Sequence, residues 1–511
     1  MKANNRIIAN TFYLYAKIII CMVISLLTVP MVIQALGQSD YGLYNLVAGV
    51  IAMLAFLNAS MTVVTQRYMS VTLGSGDFSK LNAIYNAGLR IHIILGLFIV
   101  LILEVLTPFL FGGLLNISSD RMRAAEMVYQ FMVVSTFFTI ISVPFDAVLN
   151  AYENMLAFSL IAIGESIFKL LLAISLLHIG LDRLIAYGIG IAIISVCATF
   201  IRTCIVSKKY KDIRINFRLR IEKALFNEML SYAGWNTFGS FANVVKNQGI
   251  AILLNRFEGT IINAAYGVSN QVNGVVSSFT ATIQKAVSPQ LMQREGANQR
   301  NAMFEMSFSL VKIATIIFAL MAIPLIIEMD QVMRLWLHNN VPSYTTIFCQ
   351  LILLTQLLYQ LSSGVALTID AVGKIGPYRL VMSIVILSSI PLSTVLLKNG
   401  YSPSYVLLTM VFVEIGCLIV RLCFAHKTGS FPVKVYLKQC LLPLIAIIAV
   451  SFACGFLINT IMVHGFLRLV LVIIISDGIL LLGSYYSVLN QKEKGIILSF
   501  VKGLKNWNLK D

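Results

Sequence analysis

The chain is a succession of apolar stretches, each long enough to be a helix, parted by short polar breaks. A spanning helix needs ~20 mostly apolar residues to cross ~30 Å of hydrocarbon. The pattern therefore predicts an all-α polytopic membrane protein with about fourteen transmembrane helices. They are expected at 7–36, 41–67, 83–110, 123–149, 155–178, 184–206, 227–255, 261–288, 303–327, 344–370, 378–397, 403–425, 437–460 and 465–488. The longest connection between them runs from Ser207 to Phe226. No segment is long and polar enough for a large extramembrane domain, so the function is expected among the helices.

The pattern also repeats. YGLYNLVAGV at 41–50 returns as YGVSNQVNGV at 266–275, with six of the ten residues identical. Asn10-Thr11-Phe12 matches Asn236-Thr237-Phe238, LILEVL at 101–106 faces LIIEMD at 325–330, and Asn150-Ala151 resembles Asp370-Ala371. Landmarks in the same order mark an internal duplication. An even number of helices, six, separates the copies. The halves are thus predicted to be two parallel six-helix lobes related by a pseudo-two-fold axis along the membrane normal, with a substrate site where they meet. The expected organisation is an N-terminal lobe at 1–206, a basic linker at 207–226, a C-terminal lobe at 227–425, and two extra helices with a basic tail at 426–511. In YGLYNLVAGV and its copy, Asn45 and Gly49, like Asn270 and Gly274, share one helical face suited to close packing. Leu46 and Ala48 become Gln271 and Asn273, so the second copy is the more polar.

Composition agrees with the membrane reading. The 511 residues are 58% hydrophobic and 12% charged, and mean hydropathy is +0.86. The formal charge of +16 is explained by the positive-inside rule. Alternate loops carry 22 basic residues on the side of the N-terminus and 6 on the other, which predicts cytoplasmic termini. The stretch KKYKDIRINFRLRIEK at 208–223 suits an anionic lipid surface, and nucleic acid is not an expected partner. The first apolar run is too long for the core of a signal peptide, so it is read as a retained helix.

Polar positions inside the spans are the candidate chemistry, because burying them in hydrocarbon is costly. Asn236, Ser240, Asn243 and Asn247 share one face of helix seven. The corresponding face of helix one carries Asn10, Lys17 and Cys21. Helix eight adds Asn270, Gln271 and Asn273. Lys17, Arg90, Lys246 and Lys312, with Asn243, Asn247, Asn270 and Asn273, are the candidate substrate-binding residues of a wet cavity. The competing role for such groups is polar glue between packed helices. Asp146, Glu165, Asp370 and Glu414 are the ion-coupling candidates. Each has two roles open to it: taking up a proton or sodium ion, or neutralising a neighbouring cation. Glu165 and Lys169, four residues apart, are expected to pair with each other. Arg67 and Lys285, near helix ends, are expected to snorkel to the interface.

Several function classes find no support. There is no G-x-x-x-x-G-K-[ST] phosphate loop, no G-x-S-x-G and no H-E-x-x-H. Histidines are scattered and no C-x-x-C occurs, so no metal, no cofactor and no enzymatic activity is expected.

LGQSDYGLYNLVAGV at 36–50, TQRYMSVTLGSGDF at 65–78, SYAGWNTFG at 231–239, NQVNGVVSSF at 270–279 and DAVGK at 370–374 resemble the recurring stretches of Wzx-type polysaccharide and O-antigen flippases. Those proteins serve lipopolysaccharide biosynthesis and belong to the multidrug/oligosaccharidyl-lipid/polysaccharide exporter superfamily. The resemblance implies two six-helix lobes around a V-shaped cavity and alternating access in a bacterial inner membrane. It implies as substrate an undecaprenyl-diphosphate-linked oligosaccharide, and as partners membrane lipid and the polysaccharide polymerase machinery. An anionic diphosphate suits the cations named above, and sugar hydroxyls suit the asparagines. A drug/cation antiporter of the same superfamily is the nearest alternative. A membrane polysaccharide polymerase or glycosyltransferase is the alternative of another class.

Overall fold

The computed structural model describes residues 2–52, 55–114, 117, 119–178, 180, 182–216, 222–337, 341–463, 465–491 and 493–495. Those residues form helices and connections, with no strand among them. The first half holds α1 (Lys2–Ala52), α2 (Ala55–Ser75), α3 (Phe78–Phe109), α4 (Met122–Ala151), α5 (Met155–Ser175) and α6 (Arg183–Lys209). The second holds α7 (Lys223–Glu258), α8 (Thr260–Gly296), α9 (Arg300–Ile327), α10 (Met329–Leu337), α11 (Thr345–Gln360) and α12 (Ser363–Val372). It continues with α13 (Gly376–Leu387), α14 (Ser389–Lys398), α15 (Ser404–Gly429) and α16 (Val433–Tyr436), and closes with α17 (Leu442–Ile461) and α18 (Phe466–Gly483).

Among the described residues, nine helices are long and apolar enough to cross a membrane, or ten if the bent pair α11 and α12 is one span. The helices α7 and α8 reach 36 and 37 residues but are not among those nine, because Asn, Gln and Ser interrupt their apolar faces. The run α1 is two helices joined at Gly37, where φ is +82°. Gly259, at φ +86°, separates α7 from α8 in the same way. A left-handed backbone at such a corner favours glycine. The side chains of Asn45, Leu46 and Gly49 lie outside the described residues.

The chain divides into two compact units, Ala9–Thr237 and Phe238–Asp511 with Met1–Ile8. The first unit counts the linker as its own. Its described part is tied down by two asparagines one helical turn apart on α3. Asn86 donates to the Arg214 carbonyl at 2.8 Å and accepts from the Asn216 amide at 2.7 Å, while Asn82 accepts from the Arg214 amide at 3.0 Å. The helix starts are specified locally. Asp182 caps α6 by accepting from the amides of Leu184 and Ile185, and Asn154 caps α5 through Ala157, as N-cap residues do.

Core packing follows the apolar faces. In the first unit Ile99, Leu103, Val128 and Tyr129 cluster, and the Tyr129 hydroxyl donates to the Leu103 carbonyl at 2.7 Å. In the second, Phe318, Ala322, Leu353 and Leu480 bring α9, α11 and α18 together. Two buried ion pairs hold the last helices to α9. Arg468 meets Glu328 at 2.7 Å, and Lys312 meets Glu493 at 3.1 Å. Glu493 also closes a reciprocal capping box with Asn490.

Candidate functional site

The Phe238–Asp511 unit contains a cavity of about 560 Å³ lined entirely by residues between Gly239 and Arg421. Helix α7 supplies Asn243 and Lys246, and α8 supplies Thr280 and Gln284. The α11–α12 pair supplies Gln356, Gln360 and Asp370, α13 supplies Arg379 and Ser383, and α15 supplies Glu414 and Arg421.

A break in the helix shapes this wall. The pair α11 and α12 bends by 47° across Leu361 and Ser362. Gly364 just beyond the break has no room for a side chain, because a Cβ there would stand 2.6 Å from the Ser307 carbonyl oxygen. Side chains from other helices close on the break. The Tyr436 hydroxyl donates to the Leu361 carbonyl, and Arg421 donates to the Ser362 hydroxyl at 2.9 Å. Non-helical backbone within a membrane protein is tolerated where such partners or a cavity satisfy it.

The charges of the cavity are grouped. Asp370 pairs with Arg379 at 2.8 Å and Glu414 with Arg421 at 2.6 Å. Arg379 lies over the ring of Tyr378 and Arg421 over that of Tyr359. Lys246 is half-buried and within electrostatic reach of Glu414. Among the described residues it makes no ion pair of its own. With all five groups ionised, one positive charge is left over. A line of amides runs beside them: Gln284 donates to Gln360 at 3.0 Å, and Gln360 donates to Thr280 at 2.9 Å.

The Ala9–Thr237 unit holds a second polar cluster. Arg202 of α6 meets Asp146 of α4 at 2.9 Å. It also meets Glu165 of α5 at 2.7 Å, as a charge contact rather than an aligned hydrogen bond. Lys17 sits over the ring of Phe158, 4.9 Å from its centre, and Cys21 faces the Ala162 carbonyl. The polar face of α1 thus meets α5.

The structure therefore joins Asn243, Lys246, Asp370 and Glu414 in one cavity, and Lys17, Asp146 and Glu165 in one cluster. Asn247 and Asn270 are exposed, with Asn270 bonded to the Tyr266 carbonyl of its own helix. Asn273 accepts from Ser277. Neither they nor Arg90 line the cavity. Lys312 is buried against Glu493, a residue beyond the last helix. Two expected contacts are corrected. Glu165 pairs with Arg202 rather than Lys169, because a neighbouring helix offers a fixed guanidinium that the exposed Lys169 does not match. Arg67 does not snorkel. It is 5% exposed and lies over the rings of Tyr68 and Tyr232, where cation–π attraction replaces water.

The arginines are what sequence reasoning missed. Arg202 and Arg421 stand inside apolar stretches and partner three of the four candidate acids. The signal was present: an arginine within a predicted span marks a paired or functional site. Arg379, counted among the surface cations of a loop, lines the cavity instead. Among the described residues no cluster of three His, Cys, Asp or Glu could hold a metal.

A family model described as "Polysaccharide biosynthesis protein" matches residues 7–295. No curated protein matches the chain. Solved structures share the fold. A multidrug resistance MATE family transporter of the MOP superfamily, in an outward-facing conformation, aligns with TM-score 0.70 at 12% identity, over 84% of this chain and 96% of that one. A MOP superfamily transporter from Pyrococcus furiosus, reported with a binding pocket of reverse polarity that suggests a different function, gives 0.67 at 13%, over 85% and 97%. The Vibrio cholerae MATE transporter VcmN in its bent form gives 0.64 at 14%, over 84% and 100%.

Proposed function

This chain belongs to the polysaccharide biosynthesis protein family, and from that premise we propose that it is a flippase for a lipid-linked oligosaccharide. It is a multi-pass transporter of MATE-like fold. On this reading about fourteen helices span a bacterial inner membrane. An undecaprenyl-diphosphate-linked glycan made on the cytoplasmic face is carried to the outer leaflet by alternating access, for surface polysaccharide assembly. The family match is the observation that carries this reading. The charge balance supports it: three cations against two acids line the cavity of the second unit. A site for a cationic drug calls for the opposite sign.

The test is reconstitution in proteoliposomes with a fluorescent diphospholipid oligosaccharide, scoring its arrival in the opposite leaflet. Translocation above protein-free vesicles is the expected result. Export of an organic cation in exchange for protons or sodium, without glycolipid movement, would replace the flippase by a drug antiporter.

A further inference from the structure

The cavity of the second unit contains more recognition chemistry than the charge balance uses. Ser383 is 1% exposed, lines the cavity, and its hydroxyl has no hydrogen-bond partner. Gln356 presents a primary amide with no hydrogen bond to the protein. Asn243 commits its NH₂ to the Gly239 carbonyl at 3.0 Å and leaves its carbonyl oxygen to the cavity. Among the described residues the Lys246 ammonium has no ion pair, and the Gln356 amide likewise meets no partner there. These free groups mix donors and acceptors on one concave surface. Drug pockets are instead mainly apolar and aromatic, with few polar groups.

Three ligand classes can be weighed against this set. A neutral polyol would use the amides and hydroxyls but leave the one surplus positive charge of the cavity unbalanced, since Asp370 and Glu414 are already paired with arginines, and an unbalanced charge out of water is costly. A phosphate would meet Lys246, yet it offers only acceptors, and the same cavity is lined by the carboxylates of Asp370 and Glu414. A sugar bearing a carboxylate meets both demands. Its acid group would pair with Lys246, and its ring hydroxyls can donate to the carboxylates and amides and accept from Ser383. At 560 Å³ the cavity lies in the ~300–1,000 Å³ range of small-ligand sites. It would thus hold one part of a glycan rather than the whole.

The geometry points to a specificity pocket, built wholly within the Phe238–Asp511 unit, that recognises a carboxylate-bearing sugar of the transported glycan through Lys246, Gln356 and Ser383. This rests on the transport reading for its biological role, but binding can be measured apart from transport.

The experiment uses the full chain in nanodiscs, titrated by ligand-observed NMR with cellobiuronic acid, with the neutral cellobiose, and with inorganic diphosphate. Cellobiuronic acid is expected to bind about tenfold or more tightly than cellobiose, the ratio one charge-assisted hydrogen bond supplies. Lys246→Gln is expected to erase that preference, and Gln356→Leu to weaken both sugars while leaving the preference in place. Melting curves check that each variant is folded; if Lys246→Gln is not, the wild-type preference and Gln356→Leu still decide. Equal binding of the two sugars, no binding of either, or displacement of the acidic sugar by equimolar diphosphate would overturn the pocket. Glycolipid translocation without sugar binding would remove the pocket and leave the flippase. Sugar binding without translocation would do the reverse.

Discussion

The two units handle buried charge differently. In the first, Lys17 lies on Phe158 and one arginine, Arg202, meets both acids, Asp146 and Glu165. The helices that carry these acids, α4 and α5, run 30 and 21 residues without a break. In the second, Asp370 lies on α12, the far arm of a helix pair bent by 47°. Each acid has its own arginine, and Lys246 is left beside an open cavity. The lesson is that polar residues among apolar helices can be spent in two ways. Where helices stay straight, charges close on one another as packing. Where they bend, freed backbone groups and unpaired side chains gather round a space.

The comparison can be broken at its strongest point first. Arg421→Met leaves Glu414, 14% exposed, without its arginine and strips the contact to Ser362 from a guanidinium that is itself buried, so a loss of about 3 kcal/mol is expected, the low end for a broken buried pair. Arg202→Met uncovers two acids that are 19% and 27% exposed, where water shares the burden, so about 1–2 kcal/mol is expected. Thermal melting in nanodiscs reads both. Equal losses would mean that the two clusters are alike.

The lysines sharpen the contrast by sign. Lys17→Met removes a cation–π contact and should cost about 0.5–2 kcal/mol. Lys246→Met removes a half-buried cation without an ion pair and should raise stability by about 1 kcal/mol, while glycolipid transport falls. A stability loss in Lys246→Met as large as that in Lys17→Met would place Lys246 in the packing and not in a binding site.

The smallest effect lies outside the spans, in the first unit. Arg121 bridges Asp40 and Asp182, and so ties the segment of α1 just past its Gly37 corner to the connections that lead into α4 and α6. Partial burial alone would raise the Asp182 pKa, but hydrogen bonds from Arg121 and from the amides of Ile185 and Leu184 outweigh it and hold the group below its ordinary value. A depressed carboxyl stabilises above its unfolded pKa, and the contribution disappears as pH falls through the folded one. Melting between neutral and strongly acidic pH should show about 0.2–1 kcal/mol from this network. Asp182→Asn should remove that part of the pH dependence, and an unchanged profile would assign the acid sensitivity elsewhere.

Much of the helix layout was legible because hydrophobic length is a local property. The ends of α4, α6 and α9 fall within a few residues of the expected spans. The corner at Gly37 was legible too, as the gap between two apolar runs. The bend after Gln360 was not, since it lies inside a continuous apolar stretch. In the candidate site, Asn243, Lys246, Asp370 and Glu414 were visible as polar residues out of place. Asn247 and Asn270 carried the same signal and do not line the cavity, because a helical face says which residues align and not what they align against.

The sequence by itself determined the class of protein and the family. Those follow from apolar length and from short recurring motifs, both of which are written along one dimension. Only the tertiary structure decided which charge meets which. Arg202 reaches acids on two other helices, and Lys312 reaches Glu493, 181 residues away. Pairing depends on the rotation and depth of each helix against its neighbours, and these are set by packing many apolar side chains at once. The same packing decided that, among the described residues, Lys246 would be left without an ion pair beside a cavity.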